Sequence, residues 1–82
     1  MSAPHAQVLV AEDEAPQRDA LRAMLVRLWP AARVRVAGDG LEALEQVEAH
    51  PVELAFLDIR MPGASGLVVA ERVIATGGAV VF

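Results

Sequence analysis

Short apolar runs alternate with amphipathic stretches along the whole chain. Val8-Leu9-Val10-Ala11 is uniformly apolar and stops at Glu12-Asp13-Glu14, which suits a short buried parallel strand. A helix is predicted next. Pro16 fits a first-turn position, Asp19 lies early and Arg27 late, as the helix dipole prefers, and Leu21, Met24, Leu25 and Leu28 recur at helical spacing. Pro30 ends that helix near Trp29, which is expected to pack at the helix end. Arg33-Val34-Arg35-Val36-Ala37 alternates polar and apolar residues, the pattern of a strand with one wet face at a sheet edge.

The second half repeats the alternation. Gly38-Asp39-Gly40 is a turn, with Asp39 as N-cap and Glu42 three residues on, a pair resembling a capping box. Leu41, Leu44 and Val47 supply a second helical stripe that His50-Pro51 closes. Leu54 to Ile59 is the most apolar strand candidate, interrupted only by Asp58. Arg60 to Gly66 reads as a flexible loop punctuated by Pro62, Gly63 and Gly66, with Ser65 starting the next helix. Leu67, Ala70, Val73 and Ile74 form a third stripe, Gly77 is a natural residue just past a helix end, and Ala79 to Phe82 begins a fourth strand. The order β-α-β-α-β-α-β predicts an α/β fold: a doubly wound, mostly parallel sheet with helices on both faces. Such sheets bind ligands beyond the carboxyl ends of their strands, near the switch in strand order.

Composition narrows the field. With 82 residues the chain holds one domain at most, 1–82, and a core of modest size. There is no cysteine, hence no disulfide, thiolate metal site or cysteine nucleophile, and all seven cations are arginine. A net charge of -4 argues against direct contact with nucleic acid. The aromatics are Trp29, Phe56 and Phe82, too few for a base-stacking platform. No apolar run approaches the roughly 20 residues of a membrane span. Met1 to Gln7 has neither a basic nor an apolar leader segment, so a cytoplasmic location is the expectation.

The chemistry lies in carboxylates. Glu12 and Asp13 follow the first strand, and Asp58 ends the third. If those strands are neighbours, three like charges converge and repel. A hard divalent cation with oxygen ligands offsets this, and Mg²⁺ suits a site with few carboxylates and several waters. The acid not shared with a neighbour, Asp58, is then the candidate nucleophile toward phosphorus. Other constellations point nowhere. His5 and His50 are expected at the surface, as are Arg33 and Arg35. Ser2, Ser65 and Thr76 offer no triad, and Gly38-Asp39-Gly40 lacks the third glycine of a dinucleotide fingerprint.

Val8 to Glu14, Ala37 to Leu44 and Asp58-Ile59-Arg60-Met61-Pro62-Gly63 with Ser65-Gly66 together resemble the receiver domains of two-component response regulators. The resemblance implies a flavodoxin-like (CheY-like) fold that takes a phosphoryl group from a sensor histidine kinase. It implies Asp58 as phosphoacceptor, with Mg²⁺ held by Glu12, Asp13, Asp58 and the backbone carbonyl of Arg60. The Arg60 side chain, two residues past the acceptor, would tune phosphoryl lifetime. It implies a regulatory domain that catalyses only its own phosphorylation and dephosphorylation. It also implies a last strand and two helices beyond Phe82, where a switch Ser/Thr and a lysine would lie; this chain has neither. The open fourth strand is expected to favour a homo-oligomer or a domain-swapped assembly, and a poorly stable isolated chain. The segments around Trp29 and Asp58 look most like receivers fused to LytTR-type DNA-binding domains, so transcription control and DNA contact would come only through an output domain not contained here. Two alternatives remain: a metal-dependent aspartyl-phosphate phosphatase or phosphotransferase, which usually has an Asp where Arg60 stands, and a pseudo-receiver that never takes phosphate.

Overall fold

The computed structural model describes residues 5–82. The expectation about a leader at Met1 to Gln7 falls largely outside them. The elements are β1 (Gln7–Ala11), α1 (Ala15–Leu28), β2 (Arg33–Ala37), α2 (Gly40–Ala49), β3 (Leu54–Leu57), α3 (Gly66–Ala75) and β4 (Ala79–Val81). The strands form one sheet in the order β2-β1-β3-β4, and every pair is parallel. β2 is an edge, as its alternating arginines predict. The chain moves from β1 to β2 on one side and then crosses back to β3 on the other, so the topological switch lies between β1 and β3.

The two sheet faces differ. Leu9, Ala11, Ala37, Ala55 and Leu57 point to one face and pack with Ala43 and Val47 of α2 and with Val69, Ala70 and Val73 of α3. α2 and α3 also touch each other. The other face carries Val8 and Val10, both buried, and receives α1, which contacts β1 and β2.

Each predicted helix exists, but its buried face is narrower than, or shifted from, the predicted stripe. α1 buries no residue fully. Leu21 and Leu25 are half-buried, whereas Met24 and Leu28 are exposed. This helix packs against the sheet alone, so only one row of its stripe reaches a partner. In α2 the buried positions are Gly40, Ala43 and Val47, while Leu41 is 57% exposed. Small residues let the helix approach both the sheet and α3. In α3 the core row is Gly66, Val69, Ala70 and Val73, and Leu67 and Ile74 face outward. That helix is apolar on nearly every side, so periodicity alone does not choose its inner face.

The termini follow the expected chemistry with small corrections. Pro16 is in the first turn of α1 and Arg27 in the last, but Asp19 falls outside the first turn because the helix starts at Ala15. Trp29 caps its end and remains partly exposed. The Asp39 carboxylate accepts from the Glu42 N–H at 2.7 Å. The reciprocal bond reaches one residue further than a capping box, since the Glu42 carboxylate accepts from the Gly38 N–H at 3.4 Å. Ser65 caps α3 through the Val68 N–H at 3.3 Å. Gly77, at φ +91°, terminates it. β3 stops at Leu57 rather than running to Ile59, so Asp58 is the first residue beyond the sheet.

Candidate metal and phosphoacceptor site

Ala11 of β1 and Leu57 of β3 are paired across the sheet. The next residues, Glu12 and Asp58, therefore leave it side by side at the carboxyl edge. Both departures are pinned by the backbone. The Glu12 N–H donates to Ala37 O at 3.1 Å, and the Asp58 N–H donates to Ala11 O at 3.0 Å. As the sequence predicts, one carboxylate oxygen each from Glu12, Asp13 and Asp58 lies within 4.8 Å of the others. The Asp58 carboxylate also accepts the Arg60 N–H at 3.1 Å.

The electrostatics of the cluster are uneven. Burial pushes the Glu12 carboxyl up, and the Asp58 carboxyl beside it pushes it further. Asp58 is held below the ordinary carboxylate range, first by hydrogen bonding with Glu12 and then by the Arg60 N–H. A proton shared by the pair therefore resides on Glu12, and Asp58 stays ionised. Glu12 Oε2 is buried with no hydrogen-bond partner among the described residues. A buried carboxylate oxygen without a donor is costly. A hard cation would accept its lone pair in place of a donor, and the all-oxygen ligand set is the type that Mg²⁺ takes. The residues fit such an ion.

The segment after Asp58 corrects the expectation of a flexible loop. The Gly66 N–H donates to Ile59 O and the Gly40 N–H to Pro62 O, both at 2.9 Å. A Cβ on Gly66 would sit 2.2 Å from Asp58 O, and one on Gly40 1.8 Å from Ala64 O. The N-termini of α2 and α3 thus clamp the segment, and glycine is what allows the backbones to meet. Sequence reasoning took these glycines as punctuation. It also missed Arg18, whose Nη1 donates to the Glu12 carbonyl at 3.0 Å. Its partner is a backbone oxygen, which leaves no mark on the sequence. The histidines are unrelated to the site: the His5 ring pairs with Ala31 O, and His50 caps α2.

Fold and pocket together define a class, a parallel α/β domain with a carboxylate cluster at the ends of its central strands. Residues 8–81 match the family described as the response regulator receiver domain. An uncharacterised response regulatory protein of Vibrio cholerae is 42% identical over 67 residues, covering 80% of this chain and 26% of that protein. The cyclic di-GMP phosphodiesterase response regulator RpfG of Xanthomonas campestris is 38% identical over 65 residues, covering 79% of this chain and 17% of that protein. The response regulator TrrA of Thermotoga maritima, solved in complex with Mg²⁺-BeF, matches with a TM-score of 0.79 at 31% identity, over 92% of this chain and 65% of that one. TrrA has also been solved in complex with the histidine kinase ThkA. The chain belongs to the response regulator receiver family, and its parallel sheet is the flavodoxin-like one of that family. It spans about a quarter or less of the two curated relatives.

Proposed function

We propose that residues 1–82 form a receiver module in which Asp58 accepts a phosphoryl group from a phosphohistidine on a sensor kinase. The observation that carries this reading is the meeting of Glu12, Asp13 and Asp58 within 4.8 Å, with Asp58 the member held ionised. An Asp58 carboxylate oxygen attacks phosphorus, the P–N bond breaks, and the histidine leaves with a proton. Glu12, Asp13, Asp58 and the Arg60 carbonyl would hold Mg²⁺, which supplies charge neutralisation at the phosphoryl oxygens. The Arg60 N–H keeps the Asp58 side chain oriented from the following turn. Arg60's own side chain, 2 residues on, is the group that would tune how long the phosphoryl group survives.

The relationship of TrrA to a histidine kinase supports the same class of donor here. Control of transcription through a DNA-binding output domain, of the LytTR type or another, belongs to the same proposal, as does a cytoplasmic location. No helix among the described residues is long and apolar enough to cross a membrane. The proposal is tested by incubating the protein with Mg²⁺ and a small phosphodonor. Mass spectrometry is expected to find one base-labile phosphoryl adduct, absent in Asp58→Ala and absent with EDTA. Multiple turnover of a phosphate ester would support a phosphatase instead. No adduct would support a pseudo-receiver.

A further inference from the structure

We propose that Arg18 is a positioning residue for the acidic pocket, setting the direction of Glu12 and Asp13 through the backbone between them. The inference rests on the receiver reading above. The Glu12 side chain has Asp58 beside it as a hydrogen-bond partner, but its buried Oε2 has none among the described residues. What is fixed is its backbone. The N–H is tied to Ala37 O at 3.1 Å, and the carbonyl accepts Arg18 Nη1 at 3.0 Å in a part-buried bond. A hydrogen bond from a guanidinium is roughly twice as strong as a neutral one. With both ends of residue 12 held, the Glu12–Asp13 peptide has one orientation, and the two side chains follow from it.

Arg18 is also seated from the other side. A Cβ on Gly38 would lie 3.2 Å from Nη1, so glycine at that turn leaves room for the guanidinium. Gly38 is held in turn by the Glu42 carboxylate, which accepts its N–H. Among the described residues Arg18 makes no ion pair within 4 Å, the one such pair being Arg72 with Glu48. Its charge is directed at the oxygen of the peptide that joins Glu12 to Asp13. Groups that orient metal ligands in this way typically change metal affinity by about 10–100-fold when removed.

The test is calorimetric titration of the whole chain with Mg²⁺, together with amide hydrogen exchange in EDTA. Arg18→Met is expected to bind Mg²⁺ about tenfold more weakly and to exchange faster at Asp13 and Glu14 without metal. Arg22→Met removes the same charge from an exposed position on the same helix. It is expected to bind within about twofold of the unaltered chain, because an exposed charge is screened. Wild-type affinity in Arg18→Met overturns the inference, and so does an equal loss in both variants, which would make the effect one of net charge. If Arg18→Met fails to fold, Arg18→Gln carries the same comparison with the same two outcomes. Failure of the unaltered chain to bind Mg²⁺ overturns the receiver reading of the pocket itself.

Discussion

At the residue scale the pocket is a pair of carboxyls driven apart in acidity. The folded Glu12 is raised and the folded Asp58 lowered. Whatever Glu12 contributes to stability is present below its ordinary range and lost as pH rises through its raised value. The Asp58 contribution is present above the ordinary aspartate range and lost as pH falls through its depressed one. Near neutral pH without metal, Glu12 is therefore a liability. Glu12→Gln is expected to raise the melting temperature in EDTA by about 2–4 °C, the effect of about 0.5 kcal/mol in a domain this size. The same change is expected to weaken Mg²⁺ binding, and calorimetry checks both. In the unaltered chain Mg²⁺ affinity is expected to decline as pH falls through the raised Glu12 value, before the range of an ordinary carboxylate is reached, because a proton competes for that oxygen. The three acids were legible in the sequence because strand ends place them. The orphaned Oε2 and the bond from Arg18 were not, since both depend on where backbone atoms come to rest.

At the scale of elements, order and type were legible and helix orientation was not. Strands read clearly because a charged or turn-forming residue sits beside each, as Glu12 does after Ala11, Gly38 after Ala37, Glu53 before Leu54 and Gly78 before Ala79. α3 could not be oriented from its letters, because Leu67, Val68, Val69, Ala70, Val73 and Ile74 encircle it. Its inner face is chosen by Gly66, whose close approach to Asp58 O fixes the rotation of the first turn. Gly66→Ala is accordingly expected to cost about 2–3 kcal/mol as an overpacked contact and to lower the melting temperature by about 10–20 °C. Gly77 gives the contrast. A Cβ there meets nothing within 4 Å, and only its φ of +91° is unfavourable. Gly77→Ala is expected to cost only about 1 kcal/mol. Thermal melts of the two variants separate a steric requirement from a conformational one. Equal losses would mean that the helix start is not what orients α3.

At the scale of the molecule the two sheet faces are unequally covered. Among the described residues two helices close one face, and α1 alone lies on the other and buries none of its residues fully. Beside α1 a groove of about 640 Å³ runs past Val10, Leu21, Phe56, Val81 and Phe82 to the rim of the acidic pocket. Among the described residues β4 pairs with β3 alone, so its outer edge offers unpaired backbone groups next to exposed Val81 and Phe82. An open edge flanked by apolar side chains favours pairing with another chain, and a lysine on such an edge is a common way to prevent it. For residues 1–82 taken alone, concentration-dependent self-association is therefore expected in sedimentation velocity, and Val81→Lys is expected to shift the distribution toward the monomer. Mg²⁺ should leave the effect of that substitution in place, because Val81 lies on the groove and not among the carboxylates. Binding of the ion should still stabilise each copy, by about 2.7 kcal/mol at a concentration one hundred times its dissociation constant. A chain that sediments as a monomer at every concentration and melts cooperatively would show that the groove and the β4 edge are tolerated in water. Self-association that persists unchanged in Val81→Lys would place the contact elsewhere, with the exposed Met24 and Leu28 of α1 the next positions to alter.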